Sequence, residues 1–509
     1  MMTAKAVTAA TGIARQRQGL REHMSSYFTD LAQQYIDGEW RPGTGGWEII
    51  DFNPYDGEKL AAITTATVDE VDQAYRAAER AQREWAATNA YARRAVFEKA
   101  LRLLEEREAE IAELIIAELG GTRTKAGFEL HLAKEFLREA AQLTLTPQAR
   151  VLPSPTEGKE NRLYRVPVGV VGVISPFNFP FLLSLKSVAP ALALGNAVVL
   201  KPHQDTPVTG GTLVAKLFED AGLPGGVLNV VVTDISEIGD AFLEHPVPKV
   251  ISFTGSDKVG RHVATVCASY FKRTVLELGG NSALVVLDDA DIDYAVDAAV
   301  FSRYVHQGQV CMAANRVLVD RSVLEEFTAK FVAKVTSLKT GDPKDPATVI
   351  GPVINSSQAD ALTAAVDQAV EAGATALVRG RTTDNLVEPS VLTDIPAGSP
   401  LLKQELFGPV ALLLPFDGEE EAVRLVNDTP YGLSGAVHTG DVERGVAFAQ
   451  RIDTGMFHVN DGTVHDEPQV PFGGEKHSGV GRLNGETTVE AFTTQKWISV
   501  QHGRSRFPF

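Results

Sequence analysis

The chain has 509 residues, 44% of them hydrophobic, and a formal net charge of −17. That length gives two or three globular units with ample apolar area to bury, and the composition excludes long disorder or coiled coil. The acidic balance disfavours nucleic acid or an anionic membrane surface, since both demand clustered Lys and Arg, and leaves a small molecule as the expected partner.

The longest apolar runs, such as VPVGVVGVISPF at 166–177, are broken by Gly and Pro. They fall well below the roughly twenty residues that span a bilayer, so no membrane segment is expected. Residues 1–34 read as an N-terminal arm that contains Arg, is poor in acids and lacks the apolar core of a secretory signal. Two cysteines cannot build a disulfide framework at this size, and an unpaired thiol suits a reducing cytoplasm.

From about Asp69 to Leu143 the spacing predicts long amphipathic helices, with a stop near Gly120. From Arg165 onward, short β-branched runs alternate with helical stretches: VGVVGVIS, NAVVLKP, VLNVVV and KVISFTG are separated by helix patterns. Such alternation predicts βαβ units and a Rossmann-like parallel sheet, whose ligands bind beyond the carboxyl ends of the strands. The segments there are SPFNFP, KPHQDTP, FTGSDKVG and ELGGN. No G-x-G-x-x-G follows a strand. Gly255 permits close approach and Ser256 can cap the next helix and leave N–H groups for a pyrophosphate, although the same pattern also describes a plain turn.

A second α/β region begins near Leu278 and holds HQGQVCMAAN at 306–315. Its Cys311, among small and polar neighbours, reads equally as a small buried hydrophobe or as a nucleophile. Cys267 sits in a helical, apolar pattern and reads as packed core. His458, His465 and Asp466 look like metal ligands, but their spacing fits no standard zinc signature, so no metal is expected. The chain ends in a β-rich run, KWISVQ, that invites pairing with another subunit.

Seven motifs in order carry a resemblance over about Tyr35 to Lys496: PFNFP (176–180), NAVVLKP (196–202), FTGSDKVG (253–260), LELGGN (276–281), GQVCMAANR (308–316), ELFGPV (405–410) and PFGGEKHSGVGR (471–482). The chain resembles the NAD(P)-dependent aldehyde dehydrogenase superfamily. The resemblance implies a Rossmann-like NAD(P)-binding domain (35–147 and 165–277), a second α/β catalytic domain (278–488) and a small β oligomerisation extension (148–164 and 489–509) of a homodimer or homotetramer. It makes Cys311 the nucleophile, Glu277 the general base and Asn178 the oxyanion donor. It places Lys201 on the adenosine ribose, Gly255 and Ser256 at the phosphates, and Glu405 and Phe407 at the nicotinamide end, with Ser175, Pro176 and Leu278 completing the site. Gln204 stands where many NAD-preferring relatives carry Glu, so NAD is the expected cofactor and NADP the alternative.

Lys186 lies one place before a lysine of many relatives, and a one-residue shift turns a helical side chain by about 100°, so no catalytic role is assigned to it. The resemblance puts Phe179, Leu183, Tyr304, Val310, Met312 and His465, with the 463–465 loop, along the substrate tunnel. That apolar and aromatic set, with no obvious cation for a carboxylate, and the likeness to the benzaldehyde, salicylaldehyde and vanillin dehydrogenase branch point to an aromatic aldehyde. The alternative is a broad aliphatic aldehyde or semialdehyde dehydrogenase. A CoA-acylating enzyme usually lacks the base, a non-catalytic protein on the same fold would not need all four of Cys311, Glu277, Asn178 and Lys201, and a thioesterase would need no dinucleotide.

Overall fold

Thr67 opens the first long helix, Val68–Ala87: its hydroxyl accepts from the Glu70 N–H, and the Glu70 carboxylate returns to the Thr67 N–H, so two otherwise orphaned donors are satisfied. Helices Ala90–Glu106, Glu108–Leu119 and Arg123–Leu143 follow, and the third of these four ends where Gly120 takes a left-handed φ of 70°. The computed structural model describes residues 27–146 and 149–509. Residues 1–26, with most of the expected arm, lie outside them. The described part of that arm is not an arm: Phe28 and Leu31 are buried in the core, and Gln34–Ile36 is a strand.

Five parallel strands form the centre of the first sheet, in the order Leu228–Val230, Ala197–Lys201, Val170–Ile174, Val250–Thr254 and Arg273–Glu277. Val170–Ile174, Ala197–Lys201 and Val250–Thr254 are almost wholly buried, as runs rich in Val and Ile require when helices cover both faces. Gln34–Ile36, with Glu39–Arg41 outside it, extends one side antiparallel, and Gly479–Val480 closes the other. A second, seven-stranded sheet is built around Ser282–Val286, Ala314–Asp320 and Val410–Phe416, all parallel. The Phe179 and Leu182 side chains of the first unit pack with Val310, Met312, Val464 and Phe472 of the second in one apolar cluster.

The third sheet joins the two parts of the expected extension. The terminal strand Thr493–Gln501 pairs antiparallel within its own chain, from Thr493 opposite Pro167 to Gln501 opposite Lys159. Ala149–Leu152 lies beyond, which leaves Thr493–Gln501 at the edge with Trp497 and Ile498 exposed. Among the described residues no helix is long and apolar enough to cross a membrane.

Candidate active site

After the helix Ile292–Tyr304 the chain turns through three consecutive left-handed residues, His306 at φ 51°, Gln307 at 55° and Gly308 at 73°. Non-glycine residues hold such angles at a cost of about 1 kcal/mol each or more, and only where the surroundings over-determine them. Here they do. Buried Arg303 donates to the carbonyls of Gly308 (2.8 Å) and Leu406 (3.0 Å) and to the Asn315 side chain. Gln307 Nε2 donates to the Pro352 carbonyl at 2.8 Å, and Gln309 Oε1 accepts from the Ile354 N–H at 3.0 Å. The loop so held presents Cys311, which keeps partial exposure, while Cys267 is fully buried. Burial, and then the carboxylates of Glu405 and Glu277, push the Cys311 thiol up to about 12; burial pushes Cys267 up to about 11.

The strand Arg273–Glu277 delivers Glu277 and then the two glycines of ELGGN. A Cβ on Gly280 would collide with the Cys311 carbonyl oxygen, so glycine is what lets the two segments touch. The Gly280 N–H donates to Glu405 Oε1 at 2.9 Å, which draws Glu405 to the same place. Burial pushes the Glu405 carboxyl up to about 7, against the Gly280 bond and the Arg303 charge. Glu277 has both carboxylate oxygens buried without a hydrogen-bond partner. Burial pushes it up to about 8; Asp466 pushes in the same direction, and Lys186 and Arg482 oppose. An orphaned buried carboxyl is costly, and its natural partner is a water or reacting group. Asn178 closes the arrangement: its Nδ2 donates to the Gln309 carbonyl at 3.0 Å, two residues before the cysteine. Among the described residues the Cys311 N–H has no backbone acceptor. A thiol, a poised acid–base group and two donors therefore converge.

Of the expected tunnel residues, Phe179, Leu183, Val310 and Met312 come together. The Phe179 ring is met edgewise by Phe128 and His306, and the Lys125 ammonium lies 4.5 Å from its centre. Tyr304 does not join them. As the last residue of its helix it turns toward the second sheet, packs beside Phe331, and donates its hydroxyl to the Ser390 carbonyl at 3.1 Å. His465 is also displaced: it faces solvent and bonds Glu467 at 3.0 Å, while its neighbour Val464 points inward. The Thr463 hydroxyl, donating to the Met312 carbonyl at 2.7 Å, ties this loop to the segment after Cys311.

Ser175, Pro176, Lys201, Gly255 and Ser256 gather at the carboxyl ends of three adjacent parallel strands. Ser175 has a buried hydroxyl with no partner. Ser256 caps the helix Asp257–Ser269, and Leu278 lies against Gly260 beneath its first turn. Burial holds the Lys201 ammonium below its usual range, partly offset by Asp234. Gln204 is exposed, and Phe407 meets Phe177 edgewise at 5.7 Å. A helix N-terminus, an unsatisfied hydroxyl and a lysine at adjacent strand ends, with an acid at the cysteine end, fit a dinucleotide.

Residues 40–498 match the aldehyde dehydrogenase family. The chain belongs to that family. It is 57% identical over 482 residues to a benzaldehyde dehydrogenase of Bacillus subtilis, covering 95% of this chain and 99% of the relative. A solved NAD-dependent benzaldehyde dehydrogenase from Corynebacterium glutamicum superposes with a TM-score of 0.85 at 46% identity, covering 92% of this chain and 98% of that one. A salicylaldehyde dehydrogenase from Pseudomonas putida, solved with salicylaldehyde, gives 0.91 at 33% identity over 94% and 99%.

In this aldehyde dehydrogenase Lys186, Asp466 and Phe472 are neighbours of the site that the sequence did not mark. Lys186 was legible in one respect. It lies three and four residues beyond Leu183 and Leu182 on one helix, and so shares their face.

Proposed function

We propose that this enzyme oxidises an aromatic aldehyde of the benzaldehyde, hydroxybenzaldehyde or vanillin type to the acid, with NAD as acceptor. The observation that carries the reading is that Cys311, Glu277 and Asn178 lie together, with Cys311 against the apolar wall of the core to which Phe179, Leu183, Val310 and Met312 belong; the names of the similar proteins support it. A flat ring stacks well against such walls. Lys201, Gln204, Gly255, Ser256, Glu405 and Phe407, with Ser175, Pro176 and Leu278, would hold NAD, which when bound would accept the hydride that leaves the former aldehyde carbon. The Cys311 thiol gives its proton to water as Sγ adds to the aldehyde carbon, the C=O π pair moves onto oxygen, and the Asn178 amide and Cys311 N–H stabilise the resulting oxygen anion of the thiohemiacetal. Oxidation leaves a thioester on Cys311. Glu277 then takes a proton from the water that cleaves it. Gln204 accepts from a ribose hydroxyl without repelling a 2′-phosphate, so NADP is the second acceptor to assay.

The test compares kcat/KM for benzaldehyde, 4-hydroxybenzaldehyde, vanillin, hexanal and succinic semialdehyde. The aromatic aldehydes are expected to lead by about tenfold or more, which is about 1.4 kcal/mol of transition-state binding. A preference for either of the last two would overturn the reading.

We also propose that the enzyme works in the cytoplasm as a homodimer or a dimer of dimers. The open edge of Thr493–Gln501, with Trp497 66% exposed, supports assembly through the third sheet. Light scattering at micromolar concentration should give two or four times the chain mass. A monomer would contradict it.

A further inference from the structure

Lys186 projects from the helix Pro180–Ala193, and its ammonium meets Asp466 Oδ2 at 2.6 Å. The two side chains are 2% and 7% exposed. Asn484 Nδ2 donates to the other Asp466 oxygen at 2.8 Å, and the centre of the Phe472 ring lies 3.3 Å from the Lys186 ammonium. Asp466 ends the loop whose Val464 packs with Val310, Met312 and Phe472 beside Cys311. Both charges reach Cys311 and Glu277, with opposite signs. The other cations nearby are already engaged: Arg482 donates to the carbonyls of Gly474 and Gly481, each at 2.9 Å, and pairs with Glu475, and Lys125 pairs with the buried Glu129.

A buried ion pair is weak evidence for stability, because desolvation offsets the attraction. What it does fix is the charge of the pocket. A lone ammonium at this depth would draw in an anionic aldehyde, whereas the paired one presents no net charge. We propose that Asp466 is a specificity-determining residue: by neutralising Lys186 it keeps the pocket open to uncharged aldehydes and closed to aldehydes that carry a carboxylate. This rests on the reading of Cys311 as the site of aldehyde addition. A carboxylate entering the wild-type pocket leaves water and finds no unbalanced cation, which is exclusion by an unmet charge. Removing the negative charge at 466 leaves Lys186 to supply that cation.

The test uses 4-carboxybenzaldehyde and 4-methylbenzaldehyde, which differ little in shape and by one charge. Their kcat/KM ratio cancels losses common to both, and kcat/KM is set before the thioester is cleaved, so a changed environment at Glu277 does not distort it. In Asp466→Asn the ratio is expected to rise by about tenfold or more. In Lys186→Met it should fall below wild type, and in the double variant it should return toward wild type. An unchanged ratio in Asp466→Asn, or an equal rise in the double variant, would overturn the proposal. Where Asp466→Asn does not fold, the other two variants decide: a lower ratio in Lys186→Met than in the double supports the proposal, and equal ratios refute it. If wild type turns over neither aromatic compound, the aromatic reading fails, and the same variants are compared on succinic semialdehyde and pentanal.

Discussion

Cys311→Ala is expected to reduce aldehyde oxidation by at least about 10⁴-fold, because no other group near the site can form the covalent adduct. The fold should survive the change. The loop is held by Arg303, Gln307 and Gln309 through side chain to backbone bonds that do not involve the thiol, and the thiol is not fully enclosed. NAD affinity, measured by calorimetric titration, should also be retained, since Lys201, Gly255 and Ser256 lie on other strands. Normal turnover in this variant would remove Cys311 from the mechanism. Loss of activity together with loss of NAD binding would point to a collapsed loop instead of a missing nucleophile.

What was legible in the sequence follows from where each signal is stored. Asn178 sits just beyond one parallel strand and Glu277 ends another, so a short apolar run followed by polar and glycine residues marked them, and the family motifs fixed their order. Side-chain direction at the end of a helix is stored differently. Tyr304 and Cys311 are seven residues apart, but a single helical turn sends the tyrosine into the core of the second sheet, and nothing in its neighbours records that rotation. His465 and Val464 show the same limit in an extended segment, where a shift of one residue exchanges inside for outside. The Lys186–Asp466 pair joins residues 280 apart, beyond the reach of any periodicity. Strands of two or three residues at the sides of the first sheet, Gln34–Ile36, Glu39–Arg41 and Gly479–Val480, are too short to carry an alternation. The strained angles at His306 and Gln307 are likewise imposed from outside the segment, by partners at Gly120 and Pro352.

Glu277→Gln is expected to separate the two halves of the reaction. Stopped-flow mixing should still give a burst of NADH of about one per active site, since addition and oxidation at Cys311 do not need this carboxylate. The steady-state rate should then fall by about 10² to 10⁴-fold, the usual contribution of a positioned general base. A burst and a steady state reduced equally would show that Glu277 is not specific to thioester hydrolysis. The pH profile carries the same assignment. Burial raises the Glu277 carboxyl to about 8, and a base must be deprotonated to accept a proton, so wild-type steady-state turnover should climb as pH rises through about 8. That climb should be absent in Glu277→Gln. Stability should move the opposite way. A carboxyl whose folded value exceeds its unfolded one keeps a proton on folding, so the fold loses stability as pH rises from about 4.3, the unfolded value, towards 8. Glu277→Gln has no such proton to lose. Its Tm relative to wild type should therefore increase between pH 5 and pH 8 and level off above, because the neutral side chain in that pocket no longer has to ionise. A Tm difference independent of pH would mean that Glu277 ionises at an ordinary carboxylate value, and the alkaline climb in turnover would then need another group.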